Sequence, residues 1–271
     1  MSARIVILAL LAVGCAPPDQ ASDRQAVVIE DGESQPVYSY AQAIREVVFV
    51  ESKIDSDHDG ERDRIALDII RPKETDDGMK AATIMEASPY YSDQPVLPPD
   101  RQAPVVSQRG FGSWYDEFFV PRGYAVVEVE MQGTARSTGC PTTGGRKDTQ
   151  SIEAAIDWLN GRATGYTAGG EEVAATWSTG AVGMIGVSYN GTLPNALATR
   201  GIEGLKTIVP IAAISGWYEY ARDRGIGYTG WDDRYPQWLA DFVVSAAQKS
   251  TCQDELDALG DNAGDGGFDH S

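Results

Sequence analysis

Gly183-Met184-Ile185-Gly186-Val187-Ser188-Tyr189-Asn190-Gly191-Thr192 sets a serine between glycines, where an apolar strand pattern gives way to a helix pattern. A sharp strand-to-helix turn of this kind exposes the serine hydroxyl at a helix N-terminus, beside backbone N–H groups. It needs small neighbours because the helix packs closely on the strand. These are the local requirements of a nucleophile elbow. The common form has glycine two residues after the serine; here Asn190 stands at that position and Gly191 follows it. Two readings stand on the residues alone, a nucleophilic serine and an ordinary turn serine.

A second constellation is Asp55-x-Asp57-x-Asp59-Gly60, with Asp63 three residues on. Alternate carboxylates can converge on a hard cation such as Ca²⁺, and the glycine permits the sharp turn between them. Asp63 is a candidate later ligand, and Glu61 can offer its backbone carbonyl. The bidentate acid of an EF-hand is absent, since Ala66 occupies its place. The other reading is a solvated Asp/Gly-rich hairpin turn without metal. Of the two histidines, His58 lies in this loop and reads as an exposed turn residue, and His270 is the penultimate residue.

The elements that must position these groups follow from periodicity. Val47–Glu51 and Arg64–Ile70 read as strands of a hairpin, the second stopped by Pro72. Ala82–Glu86, Tyr124–Val129, Ala181–Val187 and Lys206–Ile211 read as further strands. A helix is expected from Asp148, as its cap, to about Asn160, with Ile152, Ala155, Ile156 and Leu159 on one face. Another should follow Ser188 to about Thr199. Strands alternating with helices specify an α/β domain with a mostly parallel sheet and helices on both faces.

Composition removes several classes of function. Lys plus Arg total 22 against 40 Asp plus Glu, a formal net charge of −18 in 271 residues. Such a charge repels phosphate backbones and anionic headgroups, so no nucleic-acid partner is expected. Three cysteines make a four-cysteine zinc site impossible within one chain. Arg4 and the short apolar run Ile5–Val13 read as an export signal ending at Cys15. Lipidation at Cys15 would tether the protein to the cell envelope; an ordinary cleaved signal would release it. Residues 16–44 then read as a flexible tether. Cys140 and Cys252 could pair in an oxidising compartment, and the sequence leaves that open.

The elbow Gly186-Val187-Ser188-Tyr189-Asn190-Gly191-Thr192 closely resembles that of the Xaa-Pro dipeptidyl-peptidase family, whose relatives include cocaine-esterase-like and α-amino-acid ester hydrolases. The resemblance extends over Asp55–Gly60 with Asp63–Ala66, Ser88-Pro89-Tyr90, Gly133–Pro141, Ile156–Gly161, Ile208–Ile211 and Ser215–Tyr218, most of residues 45–240. It implies an α/β-hydrolase domain and a Ser–Asp–His triad. Ser188 matches the nucleophile. The backbone N–H of Tyr189 and the hydroxyl of Tyr90 match the two oxyanion donors. For Tyr90 a half-buried packing role is the alternative, and Tyr91 reads as packing.

The resemblance also implies a late acid and histidine. His270 is the only histidine after Ser188, and terminal residues are poor platforms for a base. The chain therefore reads as the N-terminal part of a longer hydrolase. The late strands, the triad acid and histidine, and a C-terminal β-sandwich are expected beyond residue 271. Residues 217–271 read as cap-like, with Trp217, Tyr218, Tyr220, Tyr228, Trp231, Tyr235 and Trp238 as cap packing or as a wall for a proline ring. Glu219 or Asp223 could attract a peptide ammonium. The implied substrate is a peptide cleaved after a penultimate proline, or a small ester or amide, with no required cofactor. A lipid-anchored binding protein that keeps a remnant hydrolase fold is the non-catalytic rival.

Overall fold

The computed structural model describes residues 27–91, 114–224, 226–227, 238–239, 243 and 252. The expected signal segment and Cys15, His270 and most of the cap-like region lie outside these residues. Eight strands make one sheet: β1 (Ile44–Glu51), β2 (Arg64–Arg71), β3 (Ala81–Ser88), β4 (Ala125–Glu130), β5 (Gly165–Thr167), β6 (Glu172–Val173), β7 (Ser178–Val187) and β8 (Leu205–Ile211). Their spatial order is β8-β7-β3-β4-β2-β1-β5-β6. From β8 to β4 the pairings are parallel, and from β4 to β6 they are antiparallel. The expected hairpin is β1–β2, in register from Ile44↔Arg71 to Glu51↔Arg64.

The sheet is covered on both faces, which explains its apolar strands. Ile65, Leu67 and Ile69 of β2 enter one core, whereas Ile70 enters the other. Neighbouring Val126 and Val127 of β4 divide in the same way, as the two-residue period of a strand requires. The larger core is completed by α2 (Arg146–Leu159) and α3 (Tyr189–Ala198), the smaller by the short α1 (Tyr115–Phe119). On α2, Ile152, Ala155, Ile156 and Leu159 are buried as their spacing predicts. Each large apolar side chain so buried contributes about 1.5–3 kcal/mol. Trp158 adds a hydrogen bond from Nε1 to the carbonyl of Val173 (2.9 Å), which fastens β6 to α2.

Two expectations need correction, and one pair of strands was unforeseen. The N-cap of α2 is Gly145, so the helix starts two residues before Asp148 and that aspartate lies inside the first turn. The segment expected as a tether up to residue 44 is docked near its end: Val37 and Tyr38 donate backbone hydrogen bonds to Pro121, and Tyr40 bonds Asp116. The pair β5–β6 was not expected, because two short polar strands carry little hydrophobic alternation.

Cys140 and Cys252 form a disulfide with Cα atoms 5.5 Å apart, both side chains buried. Beyond β8 a helix, α4 (Trp217–Ala221), precedes a two-residue ladder, Arg222–Asp223 with Ile226–Gly227. Among the described residues no helix is long and apolar enough to cross a membrane.

Candidate active site

Ser188 occupies the turn between β7 and α3 with φ 60° and ψ −121°, a backbone conformation rarely adopted by residues with a side chain. Three hydrogen bonds hold it there. Its N–H donates to Ile211 at the end of β8 (2.9 Å), and its carbonyl accepts from the N–H groups of Gly191 (3.0 Å) and Thr192 (2.9 Å). The glycines are steric requirements. A Cβ on Gly186 would stand 2.3 Å from the Asn190 carbonyl oxygen, and one on Gly191 would stand 2.7 Å from the oxygens of Gly186 and Ile211. The close approach expected from the elbow therefore involves Gly191, while Asn190 sends its side chain away to Glu86 (3.2 Å).

Ser188 is exposed and shares one pocket with Tyr90, Tyr189, Gly144, Thr192 and Tyr220. The pocket encloses about 390 Å³ of empty space, including its open mouth. All three residues assigned from sequence, Ser188, Tyr189 and Tyr90, thus line the same cavity. The rings of Tyr90 and Tyr189 meet edge to face, with centroids 5.8 Å apart. The Tyr90 N–H is held by Ser88 Oγ (3.1 Å), which fixes the loop at the end of β3. Tyr91 is buried and donates to Glu86 Oε2 (3.2 Å), consistent with packing. Burial raises the Glu86 carboxyl above its ordinary range, against the lowering effect of its bonds from Asn190 and Tyr91.

Sequence reasoning missed Asp148 as part of this site. Its side chain is fully buried and accepts hydrogen bonds from Thr142 Oγ1 (2.6 Å), the Gly144 N–H (2.8 Å) and the Tyr189 hydroxyl (2.9 Å). It therefore clamps the residue that follows the serine. Burial pushes its pKa up from 3.8 to about 6, although all three bonds pull the other way. Burial, and then the adjacent Asp148, raise the Tyr189 phenol well above its ordinary value, so it stays a hydrogen-bond donor. The available signal was the spacing of Thr142, Gly144 and Asp148 around a helix start; nothing in the sequence shows that Tyr189 closes the set.

Other candidates fall elsewhere. His58 is an exposed turn residue with φ 56°, as expected. Asp55, Asp57 and Asp63 come together, with one carboxylate oxygen from each lying within 4.8 Å of the others. Asp59 is not in that group: it is exposed, and its Oδ1 accepts the Glu61 N–H (2.8 Å). Within the aromatic cluster Tyr218, Tyr220 and Trp238 are exposed, and Tyr220 reaches the pocket. Tyr228, Trp231 and Tyr235 lie outside the described residues. The Glu219 side chain folds back on the backbone at Gly216, where a Cβ would stand 2.2 Å from its Oε2.

A family model described as X-Pro dipeptidyl-peptidase (S15 family) matches residues 59–265. A Bacillus anthracis protein named "Putative Xaa-Pro dipeptidyl-peptidase" is 49% identical over 238 residues, 83% of this chain and 39% of that protein. An Xaa-Pro dipeptidyl-peptidase of Lacticaseibacillus rhamnosus is 36% identical over 257 residues, 78% of this chain and 32% of that protein. The chain spans less than half the length of these curated relatives. Among solved structures, a CocE/NonD family hydrolase from Staphylococcus aureus superposes with a TM-score of 0.50 at 20% identity, covering 81% of this chain and 40% of that one. That likeness concerns fold alone, and with the strand order above it identifies an α/β-hydrolase fold.

Proposed function

The chain belongs to the X-Pro dipeptidyl-peptidase (S15) family, and from that premise we propose that the protein releases Xaa-Pro dipeptides from peptide N-termini through an acyl-enzyme at Ser188. The observation that carries this reading is the placement of Ser188, held at φ 60° on the turn after β7, exposed, in one pocket with Tyr90 and Tyr189. Its Oγ attacks the proline's own carbonyl carbon, giving its proton to the general base, and forms a tetrahedral oxyanion. The amine then leaves with a proton, and water releases the dipeptide and regenerates the hydroxyl. The Tyr189 backbone N–H and the Tyr90 hydroxyl are the donors we assign to that oxyanion. The general base and the carboxylate that orients it are assigned to parts of the whole protein outside the described residues. Asp148 belongs behind Tyr189 as a positioning residue.

Export accompanies this reading. A buried Cys140–Cys252 bond suits an oxidising compartment, and lipid attachment at Cys15 would hold the enzyme at the envelope. The function is tested with the whole protein, by Gly-Pro p-nitroanilide hydrolysis and by fluorophosphonate labelling. Ser188→Ala should abolish labelling and lower turnover by about 10⁴-fold or more. Turnover undiminished in Ser188→Ala refutes the assignment.

A further inference from the structure

We propose that Asp55, Asp57 and Asp63 form a calcium site that orders the β1–β2 loop, on which the loop at 133–141 packs. The three carboxylates come from one tight turn, and an oxygen from each lies within 4.8 Å of the other two. Two oxygens at about 2.4 Å from a shared Ca²⁺ stand at most about 4.8 Å apart, so the spacing accommodates the ion. The turn is already shaped by hydrogen bonds to two of these carboxylate oxygens. Asp55 Oδ2 accepts the Gly60 N–H (3.0 Å), and Asp63 Oδ1 accepts the Ser56 N–H (3.3 Å). The remaining atoms, Asp55 Oδ1, Asp57 Oδ1 and Asp63 Oδ2, are buried without a hydrogen-bond partner among the described residues.

Asp63 makes the case beyond mere acidity. Its side chain is 2% exposed, and a buried carboxylate oxygen without a donor is costly unless something positive meets it. The cations nearest in the chain are engaged elsewhere, Lys53 with Asp157 (2.8 Å) and Glu153 (3.4 Å), Arg62 with Glu51 (3.1 Å) and Arg64 over the Tyr166 ring, while Lys147 Nζ approaches the turn at the Ser56 carbonyl (3.4 Å). A divalent cation would satisfy the orphaned oxygens together. Three carboxylates with all-oxygen chemistry favour Ca²⁺. Mg²⁺ dehydrates reluctantly and usually takes only one or two carboxylates.

The site also lies where two loops meet. Gly139 is pressed against the cluster, where a Cβ would stand 2.4 Å from Asp63 Oδ2 and 2.3 Å from Ser56 Oγ. The next residue donates its N–H to that same Ser56 Oγ (2.7 Å) and carries the disulfide to Cys252. An ion seated between the aspartates would therefore steady the surface on which the stretch leading to Thr142 and Gly144 rests.

The test uses the whole purified protein, stripped with EGTA and dialysed against ⁴⁵Ca²⁺. One ion per chain should bind, with millimolar Mg²⁺ failing to displace it. A hundredfold excess over Kd should raise Tm by about 2 °C in a protein of the curated relatives' length. Asp57→Asn, at a partly exposed position, should weaken binding by about tenfold or more. Asp59→Asn, which keeps an oxygen for the Glu61 N–H, should bind like the wild type. No calcium bound by the wild-type protein, or undiminished binding in Asp57→Asn, overturns the proposal. Because the wild-type stoichiometry is read directly, the first of these outcomes is decisive even where a variant folds poorly.

Discussion

Replacing Asp148 by asparagine tests whether burial or hydrogen bonding governs the carboxylate behind Tyr189. Three donors favour its ionised form, burial favours the neutral form, and the balance lies with burial, at a pKa of about 6 against 3.8. The folded state thus binds the proton more tightly than the unfolded chain. The stabilisation is fully present below about pH 3.8, falls as pH rises toward 6, and is gone above it. At 1.36 kcal/mol per pKa unit, the loss across this window is about 3 kcal/mol. Asparagine does not titrate, so the difference between wild-type and Asp148→Asn stabilities isolates the effect, whatever constant offset the lost charge introduces. Urea midpoints measured from pH 3.5 to 7.5 should show wild type losing about 3 kcal/mol more than the variant. A difference that stays flat, or that moves in favour of wild type as pH rises, would refute the reasoning. The second outcome would mean that Thr142, Gly144 and Tyr189 together outweigh burial.

Two further outcomes concern the proposed chemistry and location. Tyr90→Phe should lower kcat by about 10²–10³-fold with little change in KM, since an oxyanion donor acts in the transition state; an unchanged kcat would leave Tyr90 as a packing residue. Expressed in a bacterium that processes lipoproteins, the protein should incorporate labelled palmitate, and Cys15→Ser should abolish incorporation; unlabelled wild-type protein free in the medium would count against the anchor.

The sheet was legible wherever burial imposed a pattern. Ile65, Leu67 and Ile69 alternate because one face of β2 meets the larger core, and Ile152, Ala155, Ile156 and Leu159 repeat because one face of α2 covers that core. The elbow was legible because Gly186 and Gly191 answer to steric limits that sequence records directly. Asp148 was not legible, since Thr142 and Gly144 are near it in sequence but Tyr189 is forty-one residues away. The acidic loop was half legible. Alternation pointed to Asp59, yet the turn directs that carboxylate to Glu61, while Asp63, the later ligand the spacing offered just before β2, joins Asp55 and Asp57. Strands β5 and β6 escaped because the pairing of β5 with β1, and of β6 with β5, is written in backbone hydrogen bonds, which leave little trace in side-chain type.

The Cys140–Cys252 bond has a topological consequence. Its partners are 112 positions apart, and α2, β5 to β8 and α3, with Ser188, all lie on the segment between them. That segment is a covalent ring. One cut by a protease anywhere within it opens the ring without dividing the molecule, so a nicked protein migrates as one species until thiol is added and as two afterwards. The opened ring would also stay seated, because β7 inside it is laddered to β3 outside it. Around Ser188, then, a broken main chain and a lost domain are separate events.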